Sequence, residues 1–100
     1  MRKYEIMFII KPTLSEDDIA KVADSFKKTL ESLKTTVTAV DSWGQRPLAY
    51  DIKMGSEEHK SGYYYVYQVE SEDDAGIKEF ERLSRISPDM IRHLIIRKED

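Results

Sequence analysis

The chain contains no cysteine. That excludes a disulfide framework and any thiolate metal site, and it fits a reducing compartment. It has only two histidines, His59 and His93, far apart in sequence, and a metal centre built on these alone is not expected. No Gly-rich phosphate loop, nucleophile elbow or triad pattern is present. The longest apolar run, Ile6 to Ile10, is too short to span a bilayer. No charged-then-apolar leader precedes it, so no signal peptide is expected. Internal repeats and low-complexity segments are also missing. An excess of positive charge is lacking as well: 16 Lys and Arg face 19 Asp and Glu, for a net charge of −3. Generic nucleic-acid binding leans on net positive charge, so any RNA contact needs a local basic patch or a basic partner.

What is present is one domain's worth of chain, residues 1–100, with 40% hydrophobic content, enough for one modest core. Arg2 to Ile10 alternates as a strand. Tyr4, Ile6, Phe8 and Ile10 form one face; Lys3, Glu5, Met7 and Ile9 form the other, polar at first and then apolar. A strand apolar on both faces over half its length belongs in the middle of a sheet. Lys11-Pro12-Thr13 ends it. Ser15 opens a helix, with Asp18 completing a short-armed capping box and Leu14 and Ile19 at the staple positions. Glu16, Asp17 and Asp18 suit the positive helix start, and Lys27, Lys28 and Lys34 lie toward its end. Ile19, Val22, Ala23, Phe26, Leu30 and Leu33 recur at helical spacing as a core stripe.

Thr36 to Lys53 reads as one long, bent strand. Val37, Ala39 and Trp43 hold the odd phase, interrupted by Asp41; Leu48, Tyr50 and Ile52 hold the even phase. A slip of one residue beside Gly44 predicts a β-bulge, and Pro47 predicts a sheet edge. Trp43 reads as an amphipathic core residue. Met54 to Gly62 reads as a polar connection whose Glu57, Glu58, His59 and Lys60 face solvent. Tyr63 to Glu70 is a third strand, with Tyr63, Tyr65, Tyr67 and Val69 on one face and Tyr64, Val66, Gln68 and Glu70 on the other. Ser71-Glu72-Asp73-Asp74 starts a second helix with another Ser-x-x-Asp cap and an inward face of Ile77, Phe80 and Leu83. Gly76 inside it costs about 1 kcal/mol against alanine. The Glu72-Asp73-Asp74 cluster is more simply a helix start than a catalytic pair. Ser87-Pro88-Asp89 ends the helix. Met90 to Lys98 is the last strand, with Leu94, Ile95 and Ile96 as its apolar centre, and Glu99-Asp100 is a short acidic end.

The order β-α-β-β-α-β with right-handed crossovers predicts an α+β, ferredoxin-like fold: a four-stranded antiparallel sheet with two helices on one face. The first and third strands are then central. The opposite face, with Met7, Ile9, Tyr64, Val66 and Gln68, keeps no helix and has the mixed character of a partner surface. Antiparallel pairing of the first and last strands predicts a basic corner of Arg2, Lys3, Arg97 and Lys98, with Arg92 further along and Arg46 on the other edge. Solvated edge charges that deter aggregation explain any one of these equally well.

Gly44-x-Arg46-x-Leu48-Ala49-Tyr50-x-Ile52-Lys53 resembles the signature of the bacterial small-subunit ribosomal protein six family. The opening Met1-Arg2-Lys3-Tyr4-Glu5 and the closing Ile91-Arg92, apolar run and Arg97 are similar to that family too. Pro47 stands where the family usually has a polar residue, and Asp51 where it usually has proline. The resemblance implies a structural protein of the small ribosomal subunit, on cytoplasmic ribosomes, with no reaction and no cofactor. It implies binding to the central domain of small-subunit rRNA together with small-subunit ribosomal protein eighteen, a basic partner that supplies what this acidic chain lacks. It also implies Arg2, Arg92 and Arg97 as RNA contacts, with Arg46 a weaker candidate; Lys3 and Lys98 join them through the basic corner. Tyr4, Trp43 and Tyr50 match the motif and are also explained by packing. Two other readings stand beside it. Gly62-Tyr63-Tyr64-Tyr65-Val66 resembles the core of the RNA-recognition motif, whose rings stack on single-stranded RNA. Ser61, Tyr64 and Gln68 depart from that pattern, and tyrosines packing a sheet against helices account for the run as well. The third reading is a small regulatory α+β domain without nucleic acid. The direction of Tyr63 and Tyr65 separates the first two.

Overall fold

The computed structural model describes residues 2–54 and 57–98, without the side chains of 49–57. Its elements are β1 (Arg2–Ile10), α1 (Glu16–Ser32), β2 (Thr36–Met54), β3 (Glu57–Ser71), α2 (Ala75–Ile86) and β4 (Met90–Lys98). The antiparallel sheet has the order β2-β3-β1-β4, so β1 and β3 are central and the strand carrying Pro47 is an edge. This is the ferredoxin-like arrangement.

The even residues of β1 form the core. Ile6, Phe8 and Ile10 have no exposed surface, and Tyr4 is buried beside them. Ile19, Ala23, Phe26 and Leu30 of α1 and Ile77 and Phe80 of α2 close over that face. Phe8 is the meeting point of the rings: Tyr65 stacks on it at 5.4 Å, Tyr67 meets it edge-on at 5.0 Å, and Phe26 and Phe80 tilt against it at 6.0 and 5.7 Å. The buried Tyr67 hydroxyl donates to the Ala23 carbonyl at 2.6 Å, which ties β3 to α1. At the start of α1 the Ser15 hydroxyl accepts from the Asp18 N–H at 3.2 Å, half of the expected box.

Several expectations are corrected. The hairpin strands run further than the apolar pattern, to Met54 and from Glu57. Beyond the end of β1 the ribbon has only two strands, and ladder hydrogen bonds ask nothing of side-chain polarity there. His59, expected in solvent, is 4% exposed. The hairpin tip, the inward phase of Tyr50 and Ile52, the exposure of Glu57 and the acidic end Glu99-Asp100 lie outside the described residues or side chains. α1 stops at Ser32, so its last turn carries no base and Lys34 lies beyond it. α2 starts at Ala75, because β3 continues to Ser71, which pairs with Arg2 and is 2% exposed. The Ser71 hydroxyl therefore accepts from the Asp73 N–H, and the Asp73 carboxylate from the Ala75 N–H. Gly76 has a packing reason, since a Cβ there would collide with the Thr35 side chain. Tyr63 and Tyr65 do face the helices, but at the margin, half-buried, while Tyr67 and Val69 are covered.

The bulge is real. Pairing shifts between Ser42 and Gly44, and Gly44 has a φ of 75°. A side chain there would meet no atom within 4 Å. Gly44→Ala should therefore lose only the backbone preference, about 1–2 kcal/mol, and the β-branched Gly44→Val more. Equal denaturation midpoints for wild type and both variants would refute a glycine-specific backbone. In the core, Phe26→Ala should cost about 3–5 kcal/mol in urea unfolding, the range for a truncated buried phenylalanine.

Candidate RNA and partner surface

The pairing registers lay out the helix-free face as a grid, because residues directly opposite share a face. One row holds Gly44, Tyr64, Ile9 and Arg92 across β2, β3, β1 and β4. The next holds Asp41, Val66, Met7 and Leu94, then Ala39, Gln68, Glu5 and Ile96, then Thr36, Glu70, Lys3 and Lys98. All five residues expected at a partner surface thus lie on one face. Ile9 and Val66 are buried within it; Met7, Tyr64 and Gln68 are half-buried. Leu94 and Ile96 are 54% and 46% exposed, and both were missed as surface groups. The signal was available: in a strand of period two they share the phase of Arg92 and Lys98, and only Ile95 turns inward. Met7, Ile9, Tyr64, Arg92, His93 and Leu94 line a groove of about 490 Å³ on this face.

Trp43, expected in the core, is 44% exposed. An earlier pairing shift, between Val37 and Ala39, puts Ala39, Asp41 and Trp43 in the open-face phase, where the Trp43 ring lies parallel to that of Tyr64, 8° apart with centroids at 6.0 Å.

The basic corner exists as a register and divides by face. Lys3 is opposite Lys98, and Arg97 opposite Tyr4. Lys3 and Lys98 therefore share the open face, whereas Arg97 and Arg2 fall in the helix-side phase, exposed at the sheet's end. Two carboxylates answer the lysines: Glu70 lies 3.9 Å from Lys3, and Glu5 3.8 Å from Lys98, which also donates to Gln68 at 2.6 Å. Exposed pairs of this kind are worth about 0–1 kcal/mol, so they do not bar either lysine from a phosphate. Arg92 lies six residues along β4 from Lys98, about 20 Å away. Arg46 is opposite Gly62, in the open-face phase of β2.

His93 faces the helices. Its Nδ1 is 2.7 Å from the Ser84 hydroxyl, and its ring stands edge-on to Phe80. Among the described residues no group of three or more His, Cys, Asp or Glu could hold a metal ion, and no helix is long and apolar enough to cross a membrane.

A family model for ribosomal protein S6 matches residues 3–97. The chain belongs to the ribosomal protein S6 family. It is 32% identical to 30S ribosomal protein S6 of Thermotoga maritima, covering 97% of this chain and 87% of that one, with a TM-score of 0.87. The C-terminal domain of the MgtC protein of Mycobacterium tuberculosis is similar over 99% of this chain and 89% of that one, at 12% identity and a TM-score of 0.63. A protein of Arabidopsis thaliana matches over 100% and 95%, at 13% identity and a TM-score of 0.55. These last two share the fold alone. As an S6-family protein the chain is a structural, RNA-binding component of the ribosome, without a catalytic role.

Burial pushes the His93 imidazole below its ordinary value; the Glu81 carboxylate pulls it back up, and the Arg85 guanidinium pushes it down. The unfolded chain then takes up the proton more readily than the folded one. This contribution to stability is intact above the ordinary value of 6.5 and is lost as pH falls from there through the lowered value. Urea unfolding at about pH 7.5 and about pH 5 should show a larger acid loss for wild type than for His93→Gln. His59 is common to both proteins, so equal losses would show that His93 is not responsible.

Proposed function

We propose that this S6-family chain binds the central domain of small-subunit rRNA jointly with small-subunit protein eighteen, on cytoplasmic ribosomes. The observation that carries this reading is the open sheet face. Leu94 and Ile96 stand exposed beside Met7 and Val66, with cationic groups at both ends of the same face. Exposed apolar area rimmed by charge is the form of a protein-docking surface. In this reading Met7, Ile9, Tyr64, Val66 and Gln68, extended by Leu94 and Ile96, meet the protein partner. Arg2, Lys3, Arg46, Arg92, Arg97 and Lys98 meet RNA around it. With a net charge of −3, the domain alone holds RNA weakly, and the basic partner supplies the remaining attraction. The RNA-recognition-motif alternative needs Tyr63 and Tyr65 outward, and both pack toward the helices.

Replacing Arg92 and Arg97 with alanine should weaken assembly onto the rRNA central domain. It should also flatten the salt dependence by about one unit of slope per arginine, leaving folding and binding to the protein partner nearly unchanged. RNA binding against salt, with and without the partner, measures this. An unaltered slope in the double variant would remove both arginines from the RNA interface. Tight binding by the domain alone would refute the joint mode.

A further inference from the structure

We propose that the Trp43–Tyr64 stack receives unpaired RNA bases, with Arg46 and Arg92 holding the adjoining phosphates. The inference rests on the RNA-binding reading above and adds which part of the RNA is taken, and where; it moves Tyr64 from the protein face to the RNA site and leaves Val66, Gln68, Leu94 and Ile96 to the protein partner. The pairing shift between Val37 and Ala39 turns the odd phase of β2 outward, so that Trp43 follows Ala39 and Asp41 onto the open face, parallel to Tyr64. A tryptophan left 44% exposed keeps a large π-face open to a partner.

The neighbours decide the chemistry. Tyr64 shares its row with Arg92, and Arg46 lies just beyond that row on β2. β2 and β4 are three strand spacings apart, about 14 Å: Arg46 starts from the strand of Trp43 itself, and Arg92 two strands beyond Tyr64. Ile9, Met7 and Leu94 line the groove between. Rings for bases with cations for the backbone is the pattern of single-stranded nucleic-acid sites. The exposed Asp41 carboxylate opposes a phosphate, and it sits one row further in, beside Val66. An RNA strand running from Arg46 to Arg92 leaves Asp41 to one side. The Lys3–Glu70 and Lys98–Glu5 pairs lie at the opposite end of the face. The apolar centre between the two ends stays available to the protein partner.

Trp43 is the chain's sole tryptophan, so its emission reports on this site. The probe is an oligoadenylate of about four nucleotides, with oligouridylate as comparison, titrated at low salt into the full chain. Saturable quenching is expected, stronger for adenine than for uracil, and weakened by salt. Anisotropy of the labelled oligomer should show about a tenfold or greater loss for Trp43→Leu and for Tyr64→Ala. Trp43→Phe, which keeps a ring, should retain most of the affinity. Arg46→Ala and Arg92→Ala should each lower the salt slope by about 0.7. Oligomer binding without quenching, or unchanged affinity in Trp43→Leu, would overturn the proposal. So would quenching of Trp43 by protein eighteen that RNA does not alter, since that would give the stack to the protein face. Each of these failures leaves the joint rRNA reading standing if the Arg92 and Arg97 double variant still weakens assembly.

Discussion

The side chain of Phe8 meets four other rings, two from β3 and one from each helix. Each such contact is worth about 0.5–1.5 kcal/mol beyond simple burial, and all four require β1 to present its even residues to the helices. A slip of one residue would send Glu5 and Met7 into the core and Ile6 and Phe8 into solvent. Because β1 pairs on both sides, its register is handed to β3 and β4. The composition of the open face follows from the same constraint. Leu94, Ile96, Arg92 and Lys98 are outside because Ile95 and His93 must be opposite Ile6 and Phe8.

The two edges are protected differently. β2 has Pro47 and three shifts of pairing, at Val37–Ala39, Ser42–Gly44 and Pro47–Ile52. Irregularity of this kind spoils a template for edge-to-edge pairing. β4 is regular beyond its first residues and relies on charge, with Arg92, Arg97 and Lys98 among nine positions. Like-charged strands repel, which is one of the ways an edge is kept soluble. The same cations are suited to phosphate, so protection of the edge and the proposed RNA contacts place compatible demands on β4.

Most of the fold could be read from periodicity, since its strongest signals are long and regular. β1 matched residue for residue, β4 likewise, and the bulge was visible as a phase slip at Gly44. The failures lie where local pattern and tertiary pairing pull apart. A Ser-x-x-Asp run signals a helix start, but Ser71 is held by Arg2 across the sheet and the helix waits until Ala75. The hairpin was cut short because a two-stranded ribbon needs no apolar face. Trp43 was placed in the core by extending the odd phase of Val37, although an unforeseen pairing shift between Val37 and Ala39 turns that phase outward. Leu94 and Ile96 were grouped by hydrophobicity with Ile95, when their strand phase put them with Arg92. In the candidate site, the register of the basic corner was legible. Its division between two faces was not, because that depends on which phase of β1 the helices cover.

That division bears on how an acidic chain takes part in an RNA assembly. A carboxylate lies within 4.0 Å of each of the open-face lysines Lys3 and Lys98, and Gln68 holds Lys98 as well. The Lys3–Lys98 end therefore presents little net charge, and presenting a phosphate there means sharing each lysine with its carboxylate. At the other end Arg92 and Arg46 share the face with Ile9, Tyr64 and Trp43, and the nearest acidic residue in the grid is Asp41. A few phosphate contacts give a shallow salt dependence and modest affinity, since each neutralised phosphate adds only about one unit of slope. Further affinity has to come from area, and the area on offer is the apolar middle of the same sheet face. On the joint reading proposed above, an interface assembled this way answers to RNA at its charged ends and to protein at its apolar centre, and so is selective for the presence of both.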